Sequence, residues 1–135
     1  MNKKLLALSL MLVFLLASCG GSAPSSTIDV TLTDFSFTPN AFTVPAGQEI
    51  TLNITNNGAV VHNFIIMKLG TTAGDAFDEG DQINVFSQET DIQPGGDVTV
   101  IFTAPTEPGD YQVVCKTSGH ITSGMIATLT VVAGK

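Results

Sequence analysis

The chain has 135 residues and carries twelve carboxylates against five lysines and no arginine, a formal charge of −7 at pH 7. That length allows one domain with its own core rather than two. The charge excludes nucleic acid as a partner, since phosphate binding needs clustered Lys and Arg. With only two cysteines, there is no Cys-x-x-Cys-His haem attachment and no disulfide framework.

From the N-terminus, Lys3 and Lys4 precede a short apolar run from Leu5 to Leu16. The run is too short for a permanent membrane span and has the flanks of an export signal, assigned here to residues 1–18. Leu16-Ala17-Ser18-Cys19 resembles the bacterial lipobox, in which cleavage before the cysteine is followed by acylation. The expectation is a protein lipidated at Cys19, lying outside the cytoplasm and anchored to a bacterial membrane. Each buried methylene of such an anchor contributes about 0.8 kcal/mol. Residues 19–26 are small and polar, as a flexible leash should be. The folded domain is then 27–135. Removal of the signal leaves Lys68, Lys116 and Lys135 against all twelve carboxylates, a surface suited to a basic protein partner.

Beyond the leash, the pattern has period two. Ile28, Val30 and Leu32 alternate with polar residues, as do Ile50, Leu52 and Ile54. Val98, Val100 and Phe102 repeat the pattern, and so do Ala127, Leu129 and Val131. Val60 to Met67 is apolar on both faces, which predicts a central strand covered on each side. Pro45-Ala46-Gly47, Asn56-Asn57-Gly58, Pro94-Gly95-Gly96 and Pro108-Gly109 supply turns between the runs. Many short strands at this spacing predict an all-β sandwich or barrel. The acidic stretch from Gly70 to Gln82 reads as a solvated loop with at most one helical turn.

The chemistry is concentrated near the C-terminus. Cys115, His120 and Met125 are spaced five residues apart, in a glycine-bearing loop between two strands. The other histidine, His62, lies within the apolar central strand. Taken singly, each residue has a plainer reading: a core histidine, a small buried thiol, a packing methionine. Together they match one chemistry, because a thiolate, two imidazoles and a weak axial thioether form a blue copper electron-transfer site. A structural zinc site would bring more cysteines or histidines and no methionine. Cys115 is expected to end one strand and Met125 to begin the next, with His62 approaching from a neighbouring strand.

These motifs resemble those of the cupredoxins, and among them the auracyanin type, over roughly residues 28–133. Asp34-Phe35-Ser36-Phe37-Thr38-Pro39 and Val44-Pro45-Ala46-Gly47 resemble the opening strands. Val61-His62-Asn63-Phe64 resembles the first ligand segment. Pro94-Gly95-Gly96 to Phe102 and Pro108-Gly109-Asp110-Tyr111 resemble the approach to the ligand loop. The Cys-x4-His-x4-Met spacing is that of auracyanins, whereas azurin and plastocyanin have shorter loops. The resemblance implies a Greek-key β-sandwich or barrel holding one type 1 copper. It makes His62, Cys115 and His120 the equatorial ligands and Met125 the axial one. Asn63 would tie loops together through its side chain and set its backbone amide near the Cys115 sulfur. His120 would be the exposed ligand, through which electrons pass. Related proteins often have an aromatic and a proline where this chain has Thr117-Ser118, and a Lys or Gly where it has Ile126-Ala127. These departures imply a less stiff loop and a smaller apolar docking patch.

The function expected is a monomeric one-electron carrier between membrane-associated redox proteins such as cytochromes, with no substrate transformed. A full ligand set leaves no open position for catalysis. A copper-binding lipoprotein for storage or delivery would use the same ligands, but the Met- or His-rich tracts common in such proteins are absent. A metal-free scaffold would leave His62, Cys115, His120 and Met125 apart in space.

Overall fold

The computed structural model describes residues 22–134. The expected signal, Cys19 and residues 19–21 of the leash lie outside the described residues. The strands are β1 (Thr27–Thr33), β2 (Ser36–Thr38), β3 (Ala41–Pro45), β4 (Glu49–Asn56), β5 (His62–Met67), β6 (Val85–Ile92), β7 (Asp97–Thr103), β8 (Gly109–Val114) and β9 (Ile126–Val132). A turn of 3-10 helix spans Asp81–Asn84. The strands form two sheets, ordered β2-β1-β4-β7 and β3-β9-β8-β5-β6. Pairing is parallel for β1 with β4 and for β3 with β9, and antiparallel elsewhere. The all-β sandwich expected from the alternation is therefore the fold.

Register explains the core. Ile28 lies beside Leu52 and Val30 beside Ile54, so the apolar faces of β1 and β4 point the same way. They meet Val44, Phe64, Ile66, Val113, Leu129 and others from the second sheet. Each fully buried large aliphatic or aromatic side chain contributes roughly 1.5–3 kcal/mol. Val98, Val100 and Phe102 keep their alternation but stay half-buried, because β7 is an edge strand.

β5 is buried at every position. Phe64 and Ile66 enter the core between the sheets, while Ile65 and Met67 enter a second cluster on the outer face with Ala73, Val114 and Ile121. Residues 70–82 form the expected loop, leading into one 3-10 turn, and they also send two side chains into this cluster. Ala73 is buried, its amide donates to Gln112 Oε1 at 2.8 Å, and Phe77 packs onto the cluster. The acids Asp75, Asp78 and Glu79 are exposed, and Asp81 is half-buried.

Two further details depart from the pattern. The central strand begins at His62 rather than Val60, whose side chain is exposed. The cause is Asn56, which is wholly buried. Its Nδ2 donates to Val60 O at 2.9 Å and Ile92 O at 2.8 Å, and its Oδ1 accepts from Gly58 N at 2.9 Å. Residues 57–61 are thereby folded into a tight loop. The alternation also gave no warning of β6, a polar edge strand with shifted register against β5.

Tyr111 anchors the turn before the ligand loop, its hydroxyl donating to Glu107 O at 2.7 Å. Tyr111→Phe should lower stability by about 0.5–1.5 kcal/mol. Burial, and then the Glu107 charge, raise the folded-state pKa of Tyr111 above its ordinary 10.0. The linked stability is complete below pH 10 and lost as pH rises through the raised value. Urea midpoints measured from pH 8 to 11, about a span that brackets the ordinary tyrosine pKa, should show that alkaline loss in the wild type and less of it in Tyr111→Phe.

Candidate metal centre

The strand register brings the site together. Val114 pairs with Ile126 at the end of the β8–β9 ladder. Cys115 and Met125 are the residues just beyond each strand, so they leave the ladder side by side. Both lie one residue outside the strands that the sequence pattern assigned to them. β5 pairs with β8 on the other side, which brings His62 to the same end of the sheet. Between Cys115 and Met125 the chain folds back on itself. His120 N donates to Thr117 O at 3.0 Å, and Met125 N to His120 O at 2.9 Å. Gly119 and Gly124 take positive φ values of 78° and 95°, a region L side chains rarely enter.

The side chains then converge. One ligand atom from each of His62, Cys115 and His120 lies within 4.8 Å of the other two. Cys115 Sγ is 3.8 Å from His62 Nδ1, and His120 Nδ1 is 3.2 Å from Met125 Sδ. The imidazole ring centroids are 5.0 Å apart. Relative exposure is 0% for His62, Cys115 and Met125 and 4% for His120. His120 was expected to be the exposed ligand, and it is not. The Phe35 ring lies over it with centroids 5.0 Å apart, and that ring is itself 49% exposed. Phe35 has a φ of 71°, uncommon for a bulky residue. Burial chiefly, and then the charge of His62, lower the His120 pKa below its ordinary 6.5, against an opposing pull from Asp34. That direction favours the neutral imidazole, which has a lone pair to offer.

A sequence profile of the cupredoxin-like domain matches residues 6–131. The chain belongs to the cupredoxin family. It is 29% identical to auracyanin-A of Chloroflexus aurantiacus, over 85% of this chain and 88% of that protein. The auracyanin A crystal structure, described as that of a "blue" copper protein, superposes with a TM-score of 0.65 over 82% of this chain and 100% of its own. A reduced auracyanin from Roseiflexus castenholzii gives a TM-score of 0.69 at 30% identity, over 82% of this chain and 99% of its own. A multicopper oxidase matches at 20% identity with a TM-score of 0.55, over 42% of its length. That likeness shows the fold alone.

This cupredoxin's donor set fits one type 1 copper. Metal bonds of about 2.0–2.3 Å in a trigonal set separate the ligand atoms by roughly 3.5–4 Å, and the 3.8 Å between Cys115 Sγ and His62 Nδ1 falls in that range. The Cys115 thiol donates to Thr117 Oγ1 at 3.4 Å and accepts from Asn63 Nδ2 at 3.7 Å. Thiolate and imidazole are the donors that copper favours.

Around these groups a set of polar contacts holds position. Asn63 ties the loops together, and its side-chain Nδ2 also faces the Cys115 sulfur at 3.7 Å. The same Nδ2 reaches Thr117 Oγ1 at 3.3 Å, and Oδ1 accepts from Asp91 N at 3.1 Å. Asp91 has a φ of 60° and sits where β6 slips register against β5 between His62 and Phe64, as in a β-bulge. The Thr117 hydroxyl donates to Val61 O at 2.7 Å and pins the loop. Sequence reasoning missed Asp34, Gly58, Phe35 and the role of Thr117. Asp34 lies 28 residues before His62, and no local periodicity links the two. Gly58 read only as part of a turn.

Asn63→Ala should cost about 1–3 kcal/mol, because it leaves the Asp91 amide without its acceptor and removes the tie to Thr117 Oγ1. Hydrogen exchange should quicken at Asp91 and in residues 115–120, while the β1–β4 ladder keeps its protection. Unchanged exchange at Asp91 would refute this role.

Proposed function

We propose that this cupredoxin is a lipid-anchored electron carrier, cycling one type 1 copper between redox partners outside the cytoplasm. One observation carries the reading: two imidazoles and a thiol, nearly or wholly buried, converge within 4.8 Å beside a buried thioether. Copper bound there supplies a one-electron Cu(II)/Cu(I) couple that thiolate and imidazole donors both support.

The residues divide the work by chemistry. Cys115, His62 and His120 would hold the copper strongly, and the Met125 thioether would be a weaker donor. Burial keeps water from the ligand atoms. Hydrogen bonds on the backbone at His120 and Met125, and the Thr117 tie to Val61, hold the ligand loop in one shape. Electrons pass at the His120 end, where the exposed Phe35 ring offers a small apolar contact. Donors and acceptors are membrane-associated redox proteins such as cytochromes, with basic faces that suit the acidic surface. Acylation at Cys19 keeps carrier and partners on one membrane. With the donor set complete and buried, no substrate is transformed.

An optical titration of the domain from Thr27 with Cu(II) should give an intense visible thiolate-to-copper band, bleached by reductant and restored by oxidant. Cys115→Ser should abolish the band. Met125→Leu should keep copper and raise the reduction potential. A band that survives in Cys115→Ser would contradict the ligand assignment, and copper bound without any such band would favour storage or delivery. For the anchor, Cys19→Ala in the full chain should move the protein from the membrane fraction to the soluble one.

A further inference from the structure

The hairpin between β1 and β2 turns in two residues. Thr33 pairs with Ser36, their hydroxyls 2.6 Å apart, and only Asp34 and Phe35 lie between. This dipeptide reaches both imidazoles: Phe35 covers His120, and Asp34 Oδ1 lies 3.2 Å from His62 Nε2. The same oxygen accepts from Ala59 N at 3.0 Å.

Gly58 shows how closely that pair is fitted. A Cβ built there would collide with His62 Nε2 and would lie 2.6 Å from Asp34 Oδ1. Gly58 is not among the glycines with positive φ, so backbone conformation does not demand glycine. The space occupied by the aspartate–histidine contact does.

Resting on the copper reading above, we propose that Asp34 is a positioning residue for the metal site. A carboxylate only accepts hydrogen bonds, so its partner nitrogen must carry the proton. Asp34 therefore selects the Nε2–H tautomer of His62, which leaves the Nδ1 lone pair facing Cys115 Sγ. The other tautomer would point an N–H at the ligand position. The carboxylate also makes the imidazole a stronger donor, as such partners do at other metal-bound histidines. A stronger donor favours the more highly charged ion and so lowers the reduction potential. The His62 side chain is 0% exposed and that of Asp34 37%, so the contact runs from the buried site to the surface at the hairpin.

The test compares Asp34→Ala, Asp34→Asn and the wild type. In the metal-free proteins, nitrogen-15 NMR of the imidazole should show the Nε2–H form of His62 in the wild type and a tautomer mixture in Asp34→Ala. Cu(II) affinity of Asp34→Ala should fall about 10–100-fold. Asp34→Asn keeps the shape and an acceptor oxygen for Ala59 N–H, and so decides the matter if Asp34→Ala fails to fold. Its reduction potential should lie above that of the wild type, a change that a purely structural role would not produce. An unchanged tautomer in Asp34→Ala, or an unchanged potential in Asp34→Asn, overturns the assignment. If the wild type fails to bind copper, the functional reading falls, and the metal-free NMR comparison still decides what Asp34 does to His62.

Discussion

Polar groups brought to near-complete burial at one end of the sandwich impose the constraint on which this structure depends. His62, Asn56 and Asn63 are 0–2% exposed, His120 is 4% and Cys115 is 0%. A buried polar group without a partner costs about 1–3 kcal/mol, a large share of a small domain's stability. Among the described residues no buried side-chain nitrogen or oxygen lacks a partner. The contacts that meet this demand are also the ones that orient the site. Asn56 shapes the loop before His62, Asn63 joins β6 to the ligand loop, and Thr117 ties that loop to Val61. Satisfying the buried polar groups and placing the ligands are one problem with one solution.

That solution draws on the whole chain. The site gathers residues 34–35, 56–63, 91 and 115–125, from both sheets and the loops between them. The β1–β2 hairpin can reach His62 because β1 lies parallel to β4, whose last residue, Asn56, shapes the loop leading to His62. Cys115 and Met125 stay side by side because β8 and β9 hold register from Gly109–Val131 to Val114–Ile126. A slip of one residue would send alternate side chains to opposite faces and take the thiol away from the imidazoles. Sheet pairing far from the metal centre therefore sets the ligand geometry.

The sequence disclosed those parts of this design that obey a period or a chemistry. Two-residue alternation located β1, β4, β7 and β9, because each has one face in the core and one outside it. It missed β6, whose polar edge position leaves little alternation to see, and it started β5 too early because Val60 is apolar yet held out in a loop by Asn56. The Cys-x4-His-x4-Met spacing exposed the ligand loop, since few chemistries need those side chains together. His62 followed as the remaining imidazole. The supporting contacts were not legible in the same way. Asp34 and His62 meet only through strand topology, and Gly58 is required by space that exists only once they have met. The closing of the Phe35 ring over His120 depends on one unusual backbone angle, which no pattern of residue types announces.

This division bears on how such a site would carry charge. Every strong ligand is held from a second direction. His62 is held at Nε2 by Asp34, Cys115 follows directly on the β8 ladder and faces Asn63, and His120 is enclosed by Phe35 and by the Met125 amide on its carbonyl. The interior around them is packed, and packed interiors deform little. A one-unit change of charge at the centre would then be answered by small shifts in fixed dipoles rather than by ligands moving. Solvent reaches the border of the site at the exposed faces of Phe35 and Asp34, among other loop residues. The same hairpin dipeptide therefore bounds the site at both imidazoles, an aromatic ring at one and a carboxylate at the other.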